Sequence, residues 1–201
     1  MEKTGRWLSR LALTLVLVEL ALVLVSWILS AASLGSVRSL LSGEGVRWLF
    51  GQFAHNIASP PLTWILMVGL AWGCLRGSGL RCHYPHNHRE RIAFWSALLT
   101  ALLFLVVIAL LTVIPHAILL SASGSLFPSP FSGSLVPLLA VGTCLVSIVY
   151  GVVSGQLSTL TDVYDSLISG LQSVAPLILL YMLVIQIYET LFFVFLQNPN
   201  F

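Results

Sequence analysis

Two carboxylates lie inside long apolar runs of the sequence. Glu19 is the single charged residue in 11–32, and Glu189 is the single charged residue in 174–196. An acidic side chain near the centre of a membrane span costs about 2.5–3.5 kcal/mol on insertion scales, so it usually faces a polar partner or a water-filled cavity. Glu19 therefore indicates either a proton or cation relay, or a protonated carboxyl that is hydrogen-bonded to a neighbouring helix.

Two further polar side chains accompany Glu189. Gln186 lies one helical turn before it, and Thr190 follows it directly, so the three share a polar face if the segment is helical. Such a face either hydrogen-bonds a neighbouring helix or faces a substrate or an ion. Both interpretations stay open, and we take Glu19, Gln186 and Glu189 as the candidate substrate-binding or ion-binding residues.

A loop at residues 82–88 (CHYPHNH) contains four side chains of the types that bind zinc or copper. Its spacing matches no established ligand pattern, and the neighbouring arginines favour a polar loop, so we expect no metal site. The sequence contains no glycine-rich phosphate loop, no G-x-S-x-G motif and no H-E-x-x-H motif. It therefore predicts neither an enzyme nor a cofactor.

The composition places these residues in lipid. Hydrophobic residues make up 58% of the 201 residues and charged residues 8%, with nine basic and seven acidic side chains. An average soluble domain is about 45–50% apolar and about 25% charged. The balance excludes a soluble globular enzyme and a disordered chain, and a formal charge of +2 without a basic patch predicts no nucleic-acid partner.

Five apolar segments have the length of a membrane span, which needs about 20 helical residues. Within a single membrane domain covering residues 1–201, they are 11–32, 57–75, 92–114, 134–155 and 174–196. None alternates as barrel strands do, so we predict an all-α integral membrane protein, a bundle of about five transmembrane helices. The apolar run within residues 1–32 is too long for the apolar region of a secretory signal, and we expect an uncleaved first span.

Two segments outside the spans have apolar residues at helical spacing, at 46–57 and 160–171. Ser158 or Thr159 is positioned to cap the second, with Asp162 in its first turn. We expect two amphipathic helices that lie along the membrane surface or pack on the bundle.

The basic residues predict the orientation of the chain. Seven of the nine lie in the N-terminal segment and in the loop after the second span, which are on one side of a five-span bundle: Lys3, Arg6, Arg10, Arg76, Arg81, Arg89 and Arg91. Because basic residues are concentrated in cytoplasmic segments, we expect a multi-pass protein of the inner (plasma) membrane with a cytoplasmic N-terminus.

Four segments in order, followed by Gln186, resemble the AbgT family of p-aminobenzoyl-glutamate transporters. Residues 40–48 (LLSGEGVRW) resemble the family's LLSGEGIRW, and the apolar run 61–80 ends in SGL like the family's KSGL. Residues 126–138 resemble LLPSPF followed by GIVPLIF, and residues 150–163 resemble YGIxxGTIKSDKDVV.

The resemblance implies a shortened member of this family. The family carries additional spans and hairpins in the region corresponding to residues 80–91 and after the helix that contains Gln186, and those parts carry its substrate-site motifs. What remains resembles the scaffold spans and surface helices that frame a transport core and support a homodimer.

Two functions follow from these observations. The first is secondary transport of p-aminobenzoyl-glutamate or a related aromatic acyl-glutamate, coupled to an ion gradient, with Glu19 or Glu189 relaying protons. The alternative is a non-transporting membrane scaffold or oligomerising remnant of the family. In both cases we expect membrane lipid and a homo-oligomer or another membrane protein as partners, and in the first also a small-molecule substrate.

Overall fold

A computed structural model of the protein describes residues 2–32, 37–80, 88–113 and 130–196. Every regular element in these ranges is a helix, and 88% of the residues are helical. In chain order the helices are α1 (Glu2–Ala31), α2 (Gly43–Gly51), α3 (Phe53–Ile57), α4 (Pro60–Gly77), α5 (His88–Val113), α6 (Pro130–Ser154) and α7 (Leu160–Phe195). The prediction of an all-α membrane protein is confirmed.

Four of the described helices are long and apolar enough to cross a membrane. The segments are Gly5–Ala31, His88–Thr112, Gly133–Ser154 and Leu160–Phe195. The remaining predicted span corresponds to α4, which has 18 residues and ends one residue after Arg76. At 1.5 Å per residue α4 is about 27 Å long, slightly less than a bilayer core of about 30 Å, and its crossing stays a prediction.

The two amphipathic segments have different structures. The first, residues 46–57, is divided into α2 and α3 at Gln52. The second forms one continuous helix with the last predicted span, so that α7 runs for 36 residues through Pro176. The cap of α7 is confirmed, because the Thr159 hydroxyl accepts from the Asp162 amide at 3.2 Å and Asp162 accepts from the Thr159 amide at 2.8 Å.

The chain divides into two compact units. The first comprises Met1–Leu62 and Ala175–Phe201, and the second comprises Thr63–Val174. The first unit contains α1, α2, α3 and the C-terminal part of α7. Its apolar cluster consists of Leu40, Phe193 and Val194, with Val23 and Trp48 packed against it.

The second unit is held together by small residues. A methyl group added at Gly73 would lie 2.7 Å from Cα of Gly170, so α4 and α7 approach each other at backbone distance. Gly69 lies against Val174 and Gly77 against Ser166, and this order makes the two helices antiparallel. Small residues permit such close approach where lipid supplies no hydrophobic force between helices.

The histidine-rich loop lies largely outside the described residues, because only His88 of its four candidate ligands is described. Within the described ranges no group of three or more histidine, cysteine, aspartate or glutamate side chains is positioned to hold a metal ion.

Candidate functional site

The carboxyl group of Glu19 is bound by the last helix. Glu19 lies in the middle of α1, and its Oε1 accepts a hydrogen bond of 2.8 Å from the hydroxyl of Thr190 on α7. Thr190 is completely buried, whereas Glu19 is half-buried. A hydrogen bond between two spans holds them in a fixed register, because in lipid there is no water to take the place of either partner.

Gln186 lies on the same face of α7 as Thr190, one turn earlier. Its side chain is 8% exposed. Neither atom of its amide has a hydrogen-bond partner among the described residues, and the same holds for Oε2 of Glu19. We call Glu19, Gln186 and Thr190 the Glu19 patch. Buried polar atoms are normally satisfied, so this patch has hydrogen-bonding capacity for a further group.

Glu189 does not share the burial of its neighbours. It is half-buried, whereas Gln186 and Thr190 on either side of it in the helix are buried. The structure therefore brings Glu19 to the polar face of the last span, and its hydrogen-bond partner there is Thr190. In the sequence, the spacing of four residues between Gln186 and Thr190 indicates that both lie on one face of the helix. The sequence does not specify which helix packs on that face.

Residues 38–40, which follow α1, are hydrogen-bonded to both α1 and α7. Ser26 of α1 is buried, and its hydroxyl accepts from the amide of Leu40 at 3.2 Å. The amide of Arg38 in turn donates to the carbonyl of Val194 at 3.3 Å. Residues 38–40 thus connect α1 to α7, and the apolar cluster around Leu40 lies beside the patch on both helices.

These contacts determine the relative direction of α1 and α7 in the first unit. Glu19 meets Thr190, and residues 38–40 connect Ser26, two turns further along α1, to Val194, one turn further along α7. Both helices therefore advance in the same direction where they pack.

The segment 40–48 packs α2 against α1 and α7. Ser42 caps α2 by accepting from the amide of Gly45 at 3.1 Å. A methyl group at Gly45 would lie 2.6 Å from Cα of Leu40, so only glycine fits there without a shift. Trp48 stacks on Phe193 of α7 with ring centroids 4.4 Å apart. The motif therefore acts as a packing element at the ends of α1 and α7.

The Glu19 patch has the groups needed to exchange a proton or to bind a small cation. It offers carboxylate, amide and hydroxyl oxygens, the hard ligands that cations without d-electrons prefer. Glu19 and Thr190 also form a hydrogen-bonded contact between two helices. The geometry is compatible with both the relay and the packing interpretation of Glu19.

A comparison with known protein families gives one match. The model of the AbgT transporter family matches residues 82–194 of this chain, more than half of its length. The match begins before α5 and includes Gln186, Glu189 and Thr190 but not Glu19. No curated protein and no solved structure matches the chain.

Proposed function

The chain belongs to the AbgT transporter family, and from this premise we propose that it carries p-aminobenzoyl-glutamate, or a related aromatic acyl-glutamate, across a membrane. The family match is the observation that carries this proposal. It agrees with four helices that are long and apolar enough to cross a bilayer, and it supports a transporter rather than an enzyme.

The proposed energy source is an ion gradient, and the proposed relay is Glu19. An acyl-glutamate is an anion, and its uptake into a cell with a negative interior potential requires coupling to a cation or a proton. The Glu19 patch supports this role, because a carboxyl in the middle of a span has one oxygen on Thr190 and the other without a partner among the described residues. Gln186 lies one turn from Thr190 on α7, where its amide can orient a water molecule or an ion.

We place the protein in the inner (plasma) membrane with its N-terminus in the cytoplasm and its chain crossing five times. The bias of basic residues supports the orientation. The parallel packing of α1 and α7 supports the number of crossings, because successive spans alternate in direction and only an odd number makes the first and last span parallel. With four spans already long enough, α4 is the fifth.

We further propose that the transport pathway is completed by a second copy of the chain. Five helices are few for enclosing a pathway that opens alternately to both sides. Within the described residues, the Glu19 patch is a small polar cluster in otherwise apolar surroundings.

Uptake into vesicles tests the proposal. The full chain is reconstituted alone into liposomes, its helical content is verified by circular dichroism, and labelled p-aminobenzoyl-glutamate is supplied outside under an imposed pH gradient. Transport predicts accumulation above empty liposomes that disappears when a protonophore collapses the gradient. Correctly folded protein without accumulation would overturn the proposal for this chain.

The second candidate function is a membrane scaffold without transport. The observation that favours it is the bond between Thr190 and Glu19, because a carboxyl that joins two helices needs no further role. A scaffold predicts no accumulation in the same vesicles and a stable complex with itself or with another membrane protein. Crosslinking of the reconstituted chain, followed by mass measurement, detects that complex.

A further inference from the structure

An open cleft of about 420 Å³ lies in the first unit, beside α2. Its lining is unusually polar for this chain and includes Arg38, Glu44, Arg47, Trp48, Gln52 and Phe193. It therefore differs from the apolar grooves of the second unit, which are lined almost entirely by aliphatic and aromatic side chains.

The cleft follows one face of α2. Glu44, Arg47, Trp48 and Gly51 lie at spacings of three and four residues, which puts them in one row along the helix. At Gly51 an added methyl group would meet nothing within 4 Å, so the cleft has free space at this end.

Arg38 is held in a defined position at the edge of this row. Its guanidinium lies 3.3 Å from the carboxylate of Glu44 and 5.5 Å from the centroid of the Phe193 ring. Its backbone amide is bound to Val194. Because the side chain is already ordered, binding an anion costs less conformational entropy than it does for a free arginine.

Large apolar side chains project from the same segment into the surroundings. Phe50 is 78% exposed, and Leu41, Val46 and Phe53 are also exposed. A short helix with this character lies in the membrane interface, with its apolar side chains among the acyl chains and its polar ones at headgroup depth. The cleft is therefore at the depth of lipid phosphates, where tryptophan is also enriched.

We propose that this cleft binds the headgroup of an anionic glycerophospholipid. Guanidinium groups bind phosphate through paired, charge-assisted hydrogen bonds, and Arg38 and Arg47 supply two of them. The indole of Trp48 and the amide of Gln52 offer donors to the ester and glycerol oxygens. The acyl chains of such a lipid stay in the bilayer or in the detergent around the protein, an anchorage that free inorganic phosphate lacks.

Lipid retention by the purified full chain tests this site. The protein is exchanged into detergent containing equal amounts of phosphatidylglycerol and phosphatidylcholine, and bound lipids are counted by native mass spectrometry. We expect retention of phosphatidylglycerol in preference to phosphatidylcholine. Arg47→Gln should reduce that retention about fivefold to tenfold, the effect of losing one charge-assisted contact.

Two variants separate a site from general charge attraction. Arg76→Gln removes the same charge from an exposed position at the end of α4 and should leave retention unchanged. Gly51→Glu adds a carboxylate where the structure has open space and should reduce retention as Arg47→Gln does. Equal loss in Arg76→Gln and Arg47→Gln, or unchanged retention in both cleft variants, would overturn the proposal.

Inorganic phosphate distinguishes the lipid from a free anion. In the proposed site, millimolar phosphate leaves phosphatidylglycerol bound, because phosphate lacks the acyl chains that anchor the lipid in the detergent around the protein. Complete displacement by phosphate would contradict a lipid site and assign the cleft to soluble anions. The result does not depend on transport, so the lipid site and the proposed function can fail independently.

Discussion

The hydroxyl of Thr190 donates to the Glu19 carboxyl at 2.8 Å and joins the first and last helices of the chain. Two residues separated by 171 positions thereby form a polar contact between helices whose other surfaces are largely apolar. The bond fixes which face of α1 meets α7, and it places Gln186 within the same buried face.

Replacing this hydroxyl should weaken the helix pair. Thr190→Val preserves the side-chain shape and removes the donor, so we expect the free energy of unfolding to fall by about 0.5–2 kcal/mol. Thr143→Val is the matched control, because the Thr143 hydroxyl bonds to Leu139 within its own helix. Denaturant unfolding in detergent, followed by circular dichroism, measures both. An equal effect of the two substitutions would contradict a stabilising bond between α1 and α7.

An added methyl group should destabilise the close contact between α4 and α7. Gly73→Ala places Cβ against the backbone of Gly170, and we expect a loss of about 1–3 kcal/mol of unfolding free energy from overpacking. Gly133→Ala is made in α6 at a position with open space, and it should be neutral or stabilising by up to about 1 kcal/mol. Thermal unfolding in the same detergent compares the two, and an unaffected Gly73→Ala protein would exclude the close crossing.

The number of crossings is testable with reporter fusions. We expect an N-terminal fusion to be active in the cytoplasm and a C-terminal fusion to be active outside, since five spans put the termini on opposite sides. A fusion after Gly77 should report the cytoplasmic side, because α4 then completes the second crossing. Two termini on the same side would contradict the crossing of α4.

Composition and apolar length predicted much of the fold from the sequence. Lipid requires every backbone group to be hydrogen-bonded, so a long uncharged run without strand-like alternation is expected to form a transmembrane helix. The cap at Thr159 was also predictable, because Asp162 three residues later completes a local pattern of hydrogen bonds.

The continuity of α7 was harder to predict from the sequence. Pro176 lacks an amide hydrogen and normally ends or kinks a helix, and the polar residues before it suggest a surface segment. In a membrane protein, neighbouring helices support the helix at such positions, and here α4 packs along residues 166–174 through its glycines. This support is a tertiary contact that no local pattern indicates.

The candidate site was predicted by residue type but not by pairing. A carboxyl in an apolar run identified Glu19, and a polar face identified Gln186 and Glu189. Which of the polar side chains on α7 meets Glu19 depends on the rotation of two helices about their axes. The hydrogen bonds from Leu40 to Ser26 and from Arg38 to Val194 help determine that rotation, and no local pattern indicates them.

The role of Glu19 in coupling is best examined by substitution with glutamine. Glu19→Gln removes the titratable group but retains an oxygen that accepts from Thr190, so the helix pair should stay intact. Glu189→Gln is the matched control, since it makes the same change at a half-buried position beside the Glu19 patch. Circular dichroism and unfolding in detergent verify that both variants fold.

The most direct measurement is the initial rate of p-aminobenzoyl-glutamate uptake into liposomes as the imposed pH gradient is varied. Proton-coupled transport through Glu19 predicts a rate that rises with the gradient in the wild-type chain and in Glu189→Gln, and a rate independent of the gradient in Glu19→Gln. A Glu19→Gln protein with the wild-type dependence on the gradient would contradict the account.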